Sequence, residues 1–458
     1  MTKFRFRKSF ICLALLLAGI ASRTQQTLEA QSNSQLPNLL HIPNSSGFVA
    51  TFSDTPIDLG SPFFRSLGTN GRSCGTCHQP SDGWSITPRS IRQRFNVSGG
   101  ADPLFRTNDG SNCNTSDVSS LNAMKQSYSL LLDKGLIRVE LSVPPTAEFA
   151  VSTVVNPYGC SNTANVSVYR RPLPSANLRF LSAVMWDGRE THSGNTLRQN
   201  LLQQSLDATT GHAQGVGLSA DNQQAIVNFE MQLYTAQISD FQAGMLNSGG
   251  ATGGPQGLSQ QEFFIGINDP LGQNPTGAPF DSKAMNLFNG WTDAAYGQQY
   301  ARRSIARGQA LFNTKPINIT GVGGLNDDLN LAVIPGTCTT CHDSPNAGDH
   351  SVIAPLNIGV NDPSLAGNAG LPLFTLVNLT THETLTTTDP GRALISGRWR
   401  DIGKTKGPVL RGLASRPPYF HNGSAATLRD AVEFYNTRFQ IGFTAQEKTD
   451  LVNFLSAL

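Results

Sequence analysis

The chain has 458 residues, a formal net charge of +2 and only 14% charged residues. This length suits two or three domains, and the even charge balance gives no reason to expect a nucleic acid or an anionic membrane surface as a partner. The 44 glycines and 26 prolines predict many turns and long loops around a modest amount of regular structure.

The N-terminal residues have the pattern of an export signal. Basic residues between positions 3 and 8 precede an apolar run, Phe10–Ala21, that is too short to span a bilayer and ends in a small residue. An uncleaved membrane anchor is the alternative. We therefore predict a signal peptide at 1–21, a flexible lead-in at 22–50, and a periplasmic or secreted mature protein without a membrane span.

Two pentapeptides share the form C-x-x-C-H, in which two thiols bind the vinyl groups of a c-type haem and the histidine is the proximal ligand of its iron. A zinc site is the alternative, but it would not need a histidine directly after each second cysteine. The pattern predicts two covalently bound c-type haems. The predicted cofactor-binding residues are Cys74, Cys77, His78, Cys338, Cys341 and His342.

The segment at about 110–170 differs from its surroundings. Ile137–Val143 and Phe149–Val154 alternate apolar and polar residues, which predicts a hairpin. Cys113 and Cys160 remain outside the haem motifs and the signal, so an oxidising compartment favours a disulfide between them, with two buried free thiols as the alternative. We predict a β-rich insertion in an otherwise helical domain.

The rest of the chain is predicted to be mainly helical, with two cytochrome c-like haem domains at 51–300 and 301–458. A capping box, Thr444–Glu447, starts the last helix. A region rich in Gly, Pro, Gln and Asn, Gly244–Ala278, predicts a long surface loop. Helical patterns cover Phe180–Gln204, Ser219–Gln237 and Tyr300–Phe312.

Besides the two pentapeptides, four further segments stand out, in chain order: Trp186–Arg189, Gly407–Arg411, Pro418–Leu428 and Ala431–Tyr435. Together with the pentapeptides, they resemble the bacterial di-haem cytochrome c peroxidase and MauG family. The resemblance implies two c-type haems in two helical domains, one haem that reacts with hydrogen peroxide and one that stores or relays electrons. It also implies an electron-donor or substrate protein as partner.

The resemblance assigns roles to individual residues. Trp186 would carry electronic communication between the haems, although a core aromatic is the plainer alternative. No histidine lies between His78 and His192, so the first haem is expected to have an open sixth position. No methionine follows Cys341, and the family's position for the sixth ligand of the second haem falls on Tyr435. The alternatives for that ligand are His350, His382 and Lys404.

Members of the family use a glutamate for proton transfer, but no glutamate lies between Thr191 and Phe229. His212 is the best-placed substitute, Asp207 is the second, and a structural histidine is the alternative for His212. The family also holds a calcium ion between its domains. The resemblance places its ligands at the carbonyls of Arg416 and Pro418, with Asn108 or Asp109 contributing a side chain.

These features predict an exported di-haem oxidoreductase of the peroxidase class. An open first haem and a tyrosine at the second favour a specific protein or organic substrate over simple removal of peroxide. A pure electron-transfer cytochrome without peroxide turnover is the alternative.

Overall fold

The computed structural model describes residues 35–271, 273–281, 283–294 and 297–458. The predicted signal peptide and residues 22–34 of the predicted lead-in lie outside these ranges. Helices hold more of the described residues than strands do. Within the same ranges, no helix combines the length and the apolar character needed to cross a bilayer.

Secondary structure elements are short and alternate along the chain. The α-helices of the described residues are α1 (Cys74–Cys77), α2 (Pro88–Ser98), α3 (Leu121–Ser127), α4 (Ser129–Lys134), α5 (Leu197–Gly211), α6 (Ala220–Met231), α7 (Gly254–Ser259), α8 (Gln298–Thr314), α9 (Asn326–Leu329), α10 (Ala393–Ser396), α11 (Leu428–Arg438) and α12 (Ala445–Ser456). The strands are β1 (Gln35–Leu36), β2 (Ile42–Pro43), β3 (Gly47–Ser53), β4 (Ile57–Asp58), β5 (Ile137–Ser142), β6 (Phe149–Val155), β7 (Asn165–Arg170), β8 (Leu233–Asp240), β9 (Gly244–Met245), β10 (Ile317–Thr320), β11 (Val333–Gly336), β12 (Leu373–Asn378) and β13 (Thr384–Thr387).

Residues 35–50 were predicted to end a flexible lead-in, but they form strands instead. β3 pairs antiparallel with β8 in a four-stranded sheet of order β2-β3-β8-β9. The Asn44 side chain closes the turn between β2 and β3 by accepting hydrogen bonds from the amides of Ser46 and Gly47, both at 3.0 Å. Val49 is buried against the core. The polar composition of the segment therefore hid a short strand with one buried face.

The predicted hairpin of the 110–170 segment is wrong in its pairing. β5 pairs with β7, while β6 pairs with β12 from the second half of the chain. Alternation identifies a half-buried strand but not its partner. Here β6 and β7 share one buried core with β12 and α10, and Val139 and Leu141 of β5 pack against it. The predicted disulfide is confirmed, since Cys113 and Cys160 are bonded. The segment therefore connects the two predicted domains and is not an appendage of the first.

The predicted helices are confirmed near the second pentapeptide and wrong around Trp186. α8 covers the predicted helix before the motif, and α12 begins with the predicted capping box. Residues 181–196 form turns, because Met185 and Gly188 have positive φ angles (67° and 70°) that a helix does not allow. The predicted helix over 219–237 ends at Met231, where β8 follows after one residue.

The predicted surface loop at 244–278 also contains regular structure. It holds β9 and α7, and Leu246 and Leu258 are fully buried. Gly and Pro mark turns but do not prevent the residues between them from packing into a core.

The helices α8 and α12 of the second half of the chain pack closely where they cross. A side chain at Gly308 of α8 would collide with the main-chain carbonyl of Asp450 of α12. The Asp450 carboxylate accepts hydrogen bonds from Ser304 (2.6 Å) and from two nitrogens of Arg307 (2.8 and 2.7 Å). These helices form part of the wall beside the second pentapeptide, to which Phe312 of α8 and Leu451 of α12 contribute.

Candidate haem sites and their surroundings

The two pentapeptide histidines are held in the same way. His78 Nδ1 lies 2.9 Å from the carbonyl of Trp84, and His342 Nδ1 lies 2.6 Å from the carbonyl of Gly348, six residues on in each case. A carbonyl only accepts, so Nδ1–H donates, and this tautomer leaves the Nε2 lone pair free for a metal. Burial lowers the pKa of both imidazoles, that of His342 to about 4, so both are neutral, as metal ligands must be.

The four pentapeptide cysteines suit covalent attachment of haem. Cys74, Cys77, Cys338 and Cys341 are free thiols, although the same chain forms a disulfide elsewhere. Burial raises the pKa of each of these thiols, and those of Cys338 and Cys341 reach about 12. A reduced thiol pair beside a neutral histidine is the donor set that a c-type haem requires, and the chain contains it twice.

A mostly apolar cavity adjoins the second pentapeptide. Cys338, Cys341 and His342 line it, together with Tyr435 from α11. Further apolar side chains close it, and Pro172 and Trp186 complete the wall from the first half of the chain. Such a cavity fits a flat apolar cofactor that is bound through its edges and its iron. These further apolar lining residues include Phe312, Ile319, Leu356, Phe439 and Leu455.

Tyr435, the predicted sixth ligand, is in the same cavity as His342. Burial raises its pKa, and the nearby Cys341 and Cys338 thiols add to this effect. Its ring stacks on that of Phe439, which directly follows α11, with ring centroids 6.3 Å apart. The structure therefore brings this phenol to the second candidate haem site.

Of the three alternatives to Tyr435, His350 lines the same cavity, whereas Lys404 and His382 do not. His350 Nδ1 donates to the carbonyl of Ala354 at 3.3 Å. The Lys404 ammonium group is buried and donates to Asp401 at 3.0 Å. His382 is exposed in the turn between β12 and β13.

Trp186 is buried in the wall of the second cavity. Its indole Nε1–H donates to the carbonyl of Arg171 at 2.7 Å, and its ring meets His421 edge-on at 6.0 Å between centroids. Ser85 lines the same cavity and directly follows Trp84, the residue whose carbonyl holds His78. Ser85 also donates its hydroxyl to the carbonyl of Pro172, the residue after Arg171, so Trp186 and the segment that holds His78 contact neighbouring residues of the same wall.

A buried ionic network surrounds the residue that follows Trp186. Arg170 donates to Asp187 at 2.5 Å and to both carboxylate oxygens of Asp389, at 2.7 and 2.9 Å. Burial alone would raise the pKa of Asp187, but the charges of Arg170 and Arg189 outweigh it and lower that pKa to about 2. His421 Nε2 lies 3.7 Å from Asp389, so the network reaches the cavity wall.

His212 belongs to a second network, beside the first pentapeptide. His212 Nδ1 lies 2.5 Å from a carboxylate oxygen of Asp109, and the other oxygen of Asp109 pairs with Arg72. The His212 side chain is 40% exposed, whereas those of Asp109 and Arg72 are buried. The charge of His212 contributes to the lowered pKa of His78, so the network borders that haem site.

Asp207, the second choice for proton transfer, does not join this network. It is exposed on α5 and accepts two hydrogen bonds from Gln203, at 3.0 and 3.1 Å. Of the two residues predicted for proton transfer, the structure therefore places only His212 in the ion-paired group beside the first pentapeptide.

Two buried carboxyl groups lie just outside the interval between Thr191 and Phe229, in which the sequence contains no glutamate. Burial, and then the charge of Asp207, raises the pKa of Glu190 to about 7. Burial raises the pKa of Glu230 to about 8, and the charge of Glu230 contributes to the raised pKa of Cys74. Glu190 directly follows the segment Trp186–Arg189, and this position is the sequence signal that identifies it.

The residues predicted to bind calcium make other contacts in the structure. The Arg171 guanidinium donates to the carbonyls of Arg416 (3.2 Å) and Pro417 (3.4 Å), so a positive charge already occupies that position. Asn108 donates its amide to the His212 carbonyl at 3.3 Å, and Asp109 is paired as described above. Oδ1 of Asn108 is buried without a hydrogen-bond partner, and a calcium ion at these residues and at Pro418 stays a prediction.

No family model matches the chain. It is 27% identical over 172 residues to the cytochrome-c peroxidase IdrP1 of Pseudomonas sp. (strain SCT), a match that covers 33% of this chain and 39% of that relative. The identity is 32% over 142 residues with IdrP1 of Denitromonas iodatirespirans, covering 26% of this chain and 36% of the relative. With IdrP2 of the same organism it is 33% over 144 residues, covering 29% and 38%.

These matches therefore span less than two fifths of the curated relatives. Among solved structures, a MauG-like protein associated with microbial copper homeostasis covers 92% of this chain, while this chain covers 94% of it. That similarity has 17% sequence identity and a TM-score of 0.39.

Proposed function

We propose that the chain belongs to the bacterial cytochrome c peroxidase and MauG family, and that it is an exported oxidoreductase that binds two c-type haems and reacts with hydrogen peroxide. The observation that carries the proposal is the repeated donor set of two reduced cysteines and one Nδ1-donating histidine. When bound, each haem supplies an iron that exchanges electrons, and an iron with an open position also activates peroxide. An electron-donor or substrate protein completes the reaction.

At the first site, His78 would hold the haem and His212 would move the proton. The Asp109 carboxylate accepts the Nδ1–H of His212, so Nε2 of a neutral His212 is the nitrogen that can take a proton. Peroxide cleavage needs one group that takes the proton from the near oxygen and returns it to the leaving oxygen. His212 is half-exposed, so a small substrate reaches it, while Asp109 and Arg72 are buried and hold it in place.

At the second site, His342 and Tyr435 would hold the haem between them. A phenolate donates negative charge to iron and stabilises its oxidised states. Trp186 lies in the wall on the side of the first site, where its indole N–H is bound to a fixed carbonyl. This arrangement supports a role for the second haem in storing or relaying electrons, with Trp186 as the connection.

The Tyr435→Phe variant tests the ligand assignment. Loss of the phenol oxygen should change the absorption and electron paramagnetic resonance spectra of the low-spin haem while both haems remain attached. Tyr419→Phe is a matched control, because Tyr419 lines the same cavity but donates its hydroxyl to the carbonyl of Leu413 at 3.0 Å. An unchanged spectrum in Tyr435→Phe would remove this residue from the iron.

The His212→Ala variant tests the peroxidase assignment. Its rate with hydrogen peroxide, followed by stopped-flow absorption, should fall by about 10²- to 10⁴-fold, the usual contribution of a positioned acid–base group. His41→Ala is the control, since His41 is exposed near β2. An unaltered rate would direct attention to Asp207 and Glu190. If wild type itself is only bleached by peroxide, the chain is an electron-transfer cytochrome instead.

A further inference from the structure

A second kind of metal-binding group lies behind the second pentapeptide. One ligand atom from each of Asp269, Asp343 and His350 lies within 4.8 Å of the other two. All three residues are buried, with exposed fractions of 5%, 0% and 2%. Asp343 directly follows the proximal histidine of the motif, and Asp269 comes from the loop after α7. Residues far apart in the chain thus bring three donor atoms together in the interior.

Hydrogen bonds around the cluster orient its donor atoms. The Asp343 carboxylate accepts from the amide (2.7 Å) and hydroxyl (3.0 Å) of Ser351, and Asp269 accepts from the amides of Leu271 (3.2 Å) and Gln273 (2.8 Å).

His350 is oriented in the same way. Its Nδ1 donates to the carbonyl of Ala354 at 3.3 Å, which leaves the Nε2 lone pair for a ligand. Each of the three side chains is therefore held in place by at least one hydrogen bond from outside the cluster.

The cluster lacks a positive charge that would balance it. His350 Nε2 is buried without a hydrogen-bond partner and lies 4.0 Å from an oxygen of Asp343. Among the described residues, no lysine or arginine forms an ion pair with Asp269 or Asp343. Three acceptors that face one another in the interior are unfavourable unless a proton or a metal cation lies between them.

We propose that Asp269, Asp343 and His350 bind one divalent first-row transition metal ion of the Zn²⁺ type, separate from the haem irons. One imidazole nitrogen and two carboxylate oxygens suit Zn²⁺ and related ions, whereas Ca²⁺ and Mg²⁺ prefer oxygen ligands alone. Tetrahedral ligands at Zn²⁺ distances lie about 3.4 Å apart, so a shift of about half an ångström closes the 4.0 Å separation of His350 and Asp343.

The ion would hold the proximal segment of the second haem to the loop after α7. The amide of Gly266 already donates to the carbonyl of Ser351 at 2.9 Å, so the two segments touch at one point next to the cluster. A metal between Asp269 and Asp343 adds a second connection, one residue from His342. We therefore assign the ion a structural role in keeping the proximal imidazole in place.

The test uses the full haem-loaded protein and Zn²⁺ as the probe. After treatment with a chelator, the protein is titrated with Zn²⁺ by calorimetry, and total metal is measured by mass spectrometry beside haem iron from the pyridine haemochrome. Wild type should bind one equivalent of Zn²⁺, and bound Zn²⁺ should raise the melting temperature. Asp343→Asn and His350→Gln should weaken the affinity at least about 100-fold, as loss of a direct ligand does.

Controls separate this site from adventitious binding. Asp362→Asn and His41→Gln change exposed residues of the same two types and should bind Zn²⁺ like wild type. The haem absorption spectrum reports whether each variant is folded, and the titration of chelator-treated wild type does not depend on any variant. Absence of a stoichiometric zinc ion in wild type, equal affinity in the ligand variants, or full competition by equimolar Ca²⁺ would overturn the proposal.

Discussion

The two C-x-x-C-H sites are alike in how the histidine is held and differ in the residues around them. In both, the histidine donates Nδ1–H to a carbonyl six residues on. The first site is bordered by an ion-paired group, Arg72–Asp109–His212, that reaches solvent, and the second opens into a mostly apolar cavity that contains Tyr435. The pentapeptide therefore determines how the iron is held, whereas residues far along the chain determine what the iron can do.

Among the changes that test this difference between the two sites, removal of one cysteine pair at a time should have the largest effect. Cys74→Ala/Cys77→Ala and Cys338→Ala/Cys341→Ala should each keep one covalent haem of the two, measured by the pyridine haemochrome. Because His212, the proposed proton-transfer residue, lies beside the first site, peroxide reactivity should vanish with the first pair and persist, at a lower rate, without the second.

The disulfide supplies the matched control for these variants. Cys113→Ala/Cys160→Ala also removes two cysteines but should retain both haems. Peroxide reactivity that survives loss of the first pair and disappears with the second would reverse the assignment of the two sites.

In the region between the two sites, the free energy of unfolding should depend most on the ionic network beside Trp186. Arg170→Met leaves the carboxylates of Asp187 and Asp389 buried without a counter-charge and should lower the free energy of unfolding by about 3–5 kcal/mol. Urea unfolding of the haem-loaded protein measures this loss. Arg400→Met, in the exposed pair with Asp328, should cost at most about 1 kcal/mol. Equal losses in the two variants would contradict a structural role for the buried network.

The sequence predicted the local features around each site better than their connections. The pentapeptides, the capping box at Thr444 and the disulfide depend on short patterns with a fixed chemical meaning, and the structure contains them. The partner of β6 and the turn at Trp186 depend on tertiary contacts and on positive φ angles that no short pattern encodes. The calcium site stays a prediction, because it relies mainly on carbonyl groups, which every residue has.

The buried carboxyl of Glu230 should make stability near the first site depend on pH. Its pKa is about 8 in the folded chain against 4.5 for an ordinary glutamate, because burial disfavours the charged form. The stability that the protonated carboxyl contributes is complete below pH 4.5 and is lost as the pH rises to about 8. Glu230→Gln, which stays neutral, should therefore gain about 2–4 kcal/mol over wild type between pH 5 and pH 8.5.

Urea unfolding across this pH range checks the effect of Glu230. Glu262→Gln changes an exposed glutamate and should follow the wild-type curve. A Glu230→Gln curve parallel to that of wild type would show that water or another group compensates the buried carboxyl.

Asp109→Asn should give the smallest of these effects. It distinguishes the contribution of Asp109, which holds His212 in place, from proton transfer by His212 itself. The asparagine keeps the size of the side chain but loses the negative charge that binds Nδ1–H, so His212 stays in place with a less certain tautomer. We expect the rate with peroxide to fall about tenfold, well below the loss in His212→Ala, because outer-shell partners usually contribute ten- to hundredfold. Asp102→Asn is the matched control, since Asp102 pairs with Arg94 nearby and does not contact His212. A loss in Asp109→Asn as large as that in His212→Ala would mean that the carboxylate, and not the imidazole, moves the proton.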